Sequence, residues 1–126
     1  MVYLPDTNIL IDVITNRRGH AKILERLLAE HHLLTTCATI VGEVYNGMRP
    51  AEEPKTQALM ESMEFLPTTY EIARNGGILR RDFARNGKTL SLADMTIAAL
   101  ALAYKCTLIT ENVKDFPIPG LQLFAP

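Results

Sequence analysis

Residues 91–110 read SLADMTIAALALAYKCTLIT, and the fold turns on this stretch. Ser91 can cap a helix running over Leu92–Tyr104, and the run from Ala98 to Ala103 is apolar on every side, so other elements must cover that helix on several faces. Cys106-Thr107-Leu108-Ile109-Thr110 follows at once as an uninterrupted apolar strand, the kind that a parallel sheet buries on both faces. Working outward, Val2-Tyr3-Leu4 is a short strand ending in Pro5-Asp6-Thr7, and Ile9, Leu10, Val13 and Ile14 then recur at helical spacing until Asn16 and Arg17-Arg18-Gly19 stop them. Asp6 or Thr7 can cap that helix.

The same alternation continues between the two ends. A second amphipathic helix is predicted from His20 to Glu30, with Ile23, Leu24, Leu27 and Leu28 on one stripe, followed by a strand over Leu33–Cys37. Thr39 opens a helix from Ile40 to Met48 that Pro50 closes, and Ala51–Glu64 reads as a further helix with Ala58, Leu59 and Met63 facing inward. Phe65-Leu66 is a short strand stopped by Pro67. Thr69 caps a long helix through Ile72, Ile78, Leu79 and Phe83, in which Gly76-Gly77 predicts a bend or break. After a turn over Phe116–Gly120, Leu121–Phe124 forms a last strand. Short apolar strands separated by helices imply βαβ units. The expected architecture is α/β, a three-layer α/β/α sandwich around a mostly parallel sheet of four to five strands, with function at the carboxyl ends of the strands.

Composition sets the outer bounds. The chain has 126 residues, 48% of them hydrophobic and 21% charged, which predicts one folded domain over 1–126 and excludes a disordered or low-complexity chain. No apolar run reaches the ~18 residues of a bilayer-spanning helix, and an early charge at Asp6 argues against a secretory leader; a cytoplasmic protein without membrane contact is expected. Cys37 and Cys106 lack a Cys-x-x-Cys or histidine-rich setting and read as buried reduced thiols. The net charge of −1 argues against nucleic-acid binding through overall charge. Locally the balance differs, since Arg74, Arg80, Arg81, Arg85 and Lys88 face only Asp82 between residues 74 and 88.

Acids fall where the expected fold would gather them. Asp6 ends the first strand, Asp94 lies one turn into the helix that begins after Ser91, and Asp115 follows the strand ending at Thr110. Glu43 lies on the margin of an apolar helix face with no basic residue at i±3 or i±4, so it needs a partner or a metal ion. Taken singly, Asp6 reads as a helix cap, Asp94 as a capping-box acid and Asp115 as a loop acid. Together, clustered carboxylates suit Mg²⁺ or Mn²⁺, hard cations that take oxygen ligands and activate water toward phosphorus.

These residues resemble the PIN-domain ribonucleases and, within them, the toxins of VapBC-type toxin–antitoxin pairs. The resemblance rests on Asp6-Thr7-Asn8-Ile9, Glu43-Val44, Leu92-Ala93-Asp94 leading into Ile97-Ala98-Ala99, and Thr110-x-Asn112-x-x-Asp115-Phe116, in that order over essentially the whole chain. It implies a Mg²⁺- or Mn²⁺-dependent endoribonuclease that hydrolyses RNA phosphodiesters with a metal-activated water. Asp6, Glu43 and Asp94 would hold one or two ions, with Asp115 as a fourth acid. Thr7, Asn8, Thr110 and Asn112 would support them from nearby. The sequence departs from the family pattern at Asn112, where many members carry Asp, and at Pro5, where an aliphatic residue is usual. The stripe Arg80, Arg81, Arg85 and Lys88 would guide RNA, and His20, His31 and His32 read as surface residues outside the motifs. The resemblance also implies a homodimer and a VapB-type antitoxin lying over a groove near Ile11, Ile14 and Leu28. The competing reading is a catalytically silent PIN-like or receiver-like Mg²⁺-binding interaction module.

Overall fold

Five strands and six helices alternate along residues 1–126 of the computed structural model. They are β1 (Val2–Pro5), α1 (Thr7–Ile14), α2 (His20–Ala29), β2 (Leu33–Cys37), α3 (Ala38–Gly47), α4 (Glu53–Glu61), β3 (Glu64–Leu66), α5 (Tyr70–Arg85), α6 (Leu92–Tyr104), β4 (Thr107–Ile109) and β5 (Gln122–Phe124). Short 3₁₀ turns occupy Pro50–Glu52 and Val113–Asp115. The strands lie in the order β3-β2-β1-β4-β5, and every neighbouring pair is parallel. From the central β1 the chain steps outward to β2 and β3, then crosses back to β4 and β5 on the other side. Right-handed crossovers in opposite directions place the intervening helices on opposite faces. Accordingly α1 packs against α2, α3 and α4, while α5 packs along α6. The reversal of strand order between β1 and β4 opens a crevice at their carboxyl ends, the place where open α/β sheets bind ligands.

Leu4, Leu108 and Ile109 of the sheet are fully buried together with Leu10, Ile40 and Val44 on one side and Met95, Ile97 and Leu100 from α6. Pro5 is the last residue of β1 and lacks an amide hydrogen. The ladder resumes one residue later, where the Asp6 N–H donates to the Ile109 carbonyl at 2.9 Å. That bond ties Asp6 directly to the end of β4. Cys37 and Cys106 are buried free thiols, as expected.

Four local expectations are corrected. The α3 cap is Cys37 in extended conformation rather than Thr39, so the helix begins directly from the end of β2. The helix expected over 51–64 divides into a 3₁₀ turn, α4 and β3; Thr56, Met60 and Met63 are buried and Ala58 is exposed. His20 is buried rather than on the surface. Finally, α5 runs without a break through Gly76-Gly77. The reason lies in packing: a Cβ on Gly76 would stand 2.8 Å from Thr96 Cα and 3.0 Å from Thr96 N, so α5 approaches the backbone of α6 where only hydrogen fits. Open space surrounds the corresponding position on Gly77.

This pair of glycines gives an internal control. Gly76→Ala is expected to destabilise the chain by about 1–3 kcal/mol through overpacking against backbone, whereas Gly77→Ala should stabilise it by up to about 1 kcal/mol through helix propensity. Chemical denaturation of the two variants beside the parent chain measures both; equal behaviour of the two variants would contradict the close approach.

Candidate metal centre

The polar site is assembled at the β1/β4 crevice. Asp6 follows β1 and serves as the N-cap of α1, its Oδ1 accepting from the Thr7 N–H at 2.6 Å. Its Oδ2 accepts from the Thr110 hydroxyl at 2.9 Å, and Thr110 Oγ1 in turn accepts from the Asn112 N–H at 3.0 Å. The Thr7 hydroxyl donates to Glu43 Oε1 at 2.7 Å, joining α1 to α3. Asp94 occupies the first turn of α6, where its backbone N–H is capped by Ser91 Oγ at 3.0 Å. One polar network thus runs from α3 through α1 and the end of β1 to the loop after β4.

Asp6, Thr7, Asn8, Glu43, Asp94, Asn112, Asp115 and Phe116 line a cavity of about 160 Å³. All four acids expected from the sequence are therefore brought together, along with Thr7, Asn8 and Asn112; Thr110 is fully buried behind them. Both Asn112 and Asp115 reach the cavity, so the absence of Asp at 112 leaves the loop with one charged wall residue instead of two. Phe116 is the residue that motif reasoning did not assign to the site. It is 2% exposed and closes one side with an apolar wall. The basic stripe lies elsewhere: Arg80 Nε donates to the Leu90 carbonyl at 3.3 Å, Arg81 pairs with Asp82 at 3.0 Å, and Arg85 and Lys88 are exposed.

No Lys, Arg or His lines the cavity, so its carboxylates repel one another without an internal counter-charge. The Asp6 carboxyl is raised above the ordinary aspartate range by burial, then by the charges of Glu43 and Asp115, against the opposing hydrogen bonds from Thr110 and Thr7. Asp94 is raised as well, first by burial and then by Asp6, Asp115 and Glu43, with Ser91 opposing. Carboxylates and an amide oxygen around a small, partly buried space are a donor set for a hard divalent cation, and the unrelieved negative charge fits one.

The raised values carry a stability consequence. A carboxyl that binds its proton more tightly in the folded chain opposes folding once ionised; the penalty is full at neutral pH and is relieved as pH falls through the raised value. Without divalent cations the Tm is therefore expected to rise as pH is lowered from neutral toward the carboxylate range. Asp94→Asn should raise Tm at pH 7 and flatten that dependence, and Mg²⁺ or Mn²⁺ should raise the Tm of the parent chain more than that of the variant. Thermal scans in chelator and in metal check all three, and an Asp94→Asn variant less stable than its parent at pH 7 would contradict the electrostatic account.

Comparison with known proteins places this geometry. The family model described as "PIN domain" matches residues 3–117. The chain is 29% identical over 120 residues to Ribonuclease VapC19 of Mycobacterium tuberculosis, covering 94% of this chain and 96% of that one. It is 26% identical over 129 residues to Ribonuclease VapC2 of Rickettsia felis, with 98% and 96% covered. Among solved structures, the VapBC2 complex of Rickettsia felis bound to a DNA fragment from its promoter superposes with a TM-score of 0.85 at 25% identity over 98% of each chain. A toxin–antitoxin complex from Klebsiella pneumoniae superposes with a TM-score of 0.79 at 31% identity, covering 98% of this chain and 97% of that one. The chain belongs to the PIN domain family.

Proposed function

We propose that the protein is the ribonuclease toxin of a VapBC-type toxin–antitoxin pair, a Mg²⁺- or Mn²⁺-dependent endoribonuclease acting at the Asp6–Glu43–Asp94–Asp115 cavity. The observation that carries this reading is the cavity itself: four carboxylates face one small space, with no basic side chain among its lining residues. The names of the ribonuclease relatives support the reaction class, and the toxin–antitoxin complexes support the partner.

The chain's own residues divide the work. Asp6 accepts one hydrogen bond on each oxygen, so its carboxylate is fixed in orientation while each oxygen keeps a second lone pair for a ligand. Glu43 commits one oxygen to Thr7 and keeps the other free of protein partners. Asp94 faces the same space from the first turn of α6, Asp115 from the 3₁₀ turn after β4, and Asn112 adds an amide oxygen without charge. A divalent cation held there supplies positive charge to a phosphate and acidifies water for attack on phosphorus. No Ser, Cys or His lines the cavity, and the Thr7 hydroxyl is engaged with Glu43, so the chain offers no free hydroxyl, thiol or imidazole nucleophile there. Arg80, anchored on Leu90 just before Ser91 and Asp94, begins a stripe through Arg81, Arg85 and Lys88 that we assign to the RNA backbone.

Three further assignments belong to the same reading. The chain acts as one domain over 1–126 in the cytoplasm; no helix is long and apolar enough to cross a membrane. A groove bounded by Ile11, Ile14, Val44 and Met48, with Arg17 and Arg49 at its rim, takes the antitoxin segment. Leu28, 52% exposed on α2, lies apart from that groove's lining. The functional unit is a homodimer.

Purified chain free of antitoxin, incubated with total cellular RNA and Mg²⁺ or Mn²⁺, should produce discrete fragments whose ends map the target. EDTA and the Asp94→Asn variant should each return cleavage to background. Intact RNA with folded, metal-supplemented protein would overturn the nuclease reading in favour of a silent binding module.

A further inference from the structure

Beside the carboxylate cavity lies a second cluster that the nuclease reading does not use. His20, at the start of α2, is 2% exposed, and each ring nitrogen lies near a different carboxylate: Nε2 stands 2.8 Å from Glu111 Oε1, and Nδ1 stands 3.1 Å from Asp12 Oδ2 without forming a hydrogen bond. Arg18 closes the group, with Nη1 at 2.6 Å from Glu111 Oε2 and 3.7 Å from Asp12 Oδ2. Asp12 belongs to α1, Arg18 to the α1–α2 turn, His20 to the first position of α2, and Glu111 to the loop after β4. The turn is built at a cost in backbone energy at Asn16 and Arg18, which adopt positive φ at 55° and 56°, while Gly19 takes φ 68° freely. Two non-glycine residues in that region signal a segment over-determined by its surroundings.

Asp12, His20 and Glu111 have the residue types of a metal site, and one ligand atom from each lies within 4.8 Å of the others. The geometry favours a different use. The two carboxylates address opposite sides of the imidazole, and the guanidinium of Arg18 already supplies a counter-charge to both. What the cluster joins is more telling. Glu111 stands between Thr110, whose hydroxyl donates to Asp6, and Asn112, whose N–H returns to Thr110 Oγ1. Asn112 and Asp115, one and four residues further along the loop, line the acidic cavity. Asn8 and Asn112 form the wall shared by that cavity and the adjoining one of about 370 Å³, which Asp12, Arg17, Arg18 and Glu111 line.

We propose that Asp12, Arg18, His20 and Glu111 form a latch that positions the 110–115 loop, holding Asn112 and Asp115 at the cation cavity while remaining outside it. The inference rests on the reading of that cavity as a divalent-cation site. Glu111 and His20 are positioning residues: neither lines the acidic cavity. Without the latch the loop keeps its Thr110 attachment to Asp6 but loses the anchor that sets the direction of the chain just beyond it. The cation then binds fewer oxygens at any moment, and affinity falls. Partners that orient metal ligands from outside typically contribute about 10–100-fold to affinity.

The test is Mn²⁺ affinity of the full chain, read by the electron paramagnetic resonance of free Mn²⁺, for the parent, Glu111→Ala, Glu111→Gln and His20→Asn. Thermal scans identify the temperature range in which each is folded. Glutamine removes the charge of Glu111 but keeps one carbonyl oxygen, enough for one of the two partners now on Oε1 and Oε2, so it retains part of the latch where alanine removes all of it. Glu111→Ala is expected to weaken Mn²⁺ binding about tenfold or more and Glu111→Gln by no more than about twofold. His20→Asn should weaken it as Glu111→Ala does, and combining the two should cost nothing further, because both break one latch. Equal losses in Glu111→Ala and Glu111→Gln would assign the effect to charge and overturn the latch, as would an unchanged affinity in Glu111→Ala. A parent chain that binds no Mn²⁺ overturns the cation site itself and the latch with it, an outcome distinct from failure of the variants alone.

Discussion

Mutual repulsion among carboxylates gathered around one small, partly buried space is the constraint around which this molecule is organised. Asp6 is 6% exposed and surrounded by the charges of Glu43, Asp94 and Asp115, with no cationic side chain lining the cavity. Left to itself such a group would spread apart or take up protons. Spreading is prevented because Asp6, Glu43 and Asp94 are fixed to different rigid elements, and Asp6 and Asp94 bind their protons more tightly in consequence. Asp6 caps α1 and is tied through its amide to β4, Asp94 opens α6 behind Ser91, and Glu43 is held from α3 by a hydroxyl on α1. The cost of keeping the acids together is carried by a core in which the neighbouring Leu4, Leu10, Met95 and Ile109 are fully enclosed.

The topology explains why the acids come from such distant parts of the chain. In a parallel sheet every strand delivers its carboxyl end to the same edge, and reversal of the strand order between β1 and β4 leaves a gap there that no crossover helix covers. Asp6 and Thr110, 104 positions apart, become hydrogen-bonded neighbours only through that reversal. The contribution of α6 depends in turn on Gly76, since α5 must lie against Thr96, one half-turn beyond Asp94. A glycine that reads in isolation as a weak point in a helix is the condition for seating the helix that carries an acid.

This separates what could be read from the sequence from what could not. Apolar strands of three to five residues alternating with helices were sufficient for the sheet and for its parallel sense, because burial on both faces leaves a local signature in residues such as Leu108 and Ile109. Asp6, Glu43, Asp94 and Asp115 were legible because their positions are tied to strand ends and helix starts. Features that depend on the approach of two distant elements left no such mark. The continuity of α5 through Gly76-Gly77 is decided by Thr96, the exposure of Ala58 by the breakup of residues 50–66 into three elements, and the burial of His20 by Asp12 and Glu111. A lone histidine outside every motif has the local appearance of a surface residue; only the fold brings two acids to its two nitrogens. The adjacency of Arg17, Arg18 and Gly19 marks a helix stop, and the left-handed backbone of Arg18 and Gly19 also turns Arg18 and His20 back toward the loop after β4.

The placement of positive charge follows from the same repulsion. On the proposed nuclease reading, an RNA backbone approaching four carboxylates is itself repelled, so cationic residues are required, but inside the cavity they would neutralise the acids and take the place of a divalent ion. The chain resolves this by distance and by pairing. Arg18 stands one cavity away and is held by Glu111 and Asp12, Arg80 is turned onto the Leu90 carbonyl, and Arg85 and Lys88 extend into solvent at the end of α5. A net charge of −1 is therefore a sum over two separated fields, and its near-zero value says little about polyanion binding. What matters is that the negative field is concentrated in a pocket of about 160 Å³, where a small divalent ion can enter, while the positive one is spread along a helix, where a phosphate chain can lie. On that reading the acids and the arginines serve one reaction because the fold keeps them from meeting.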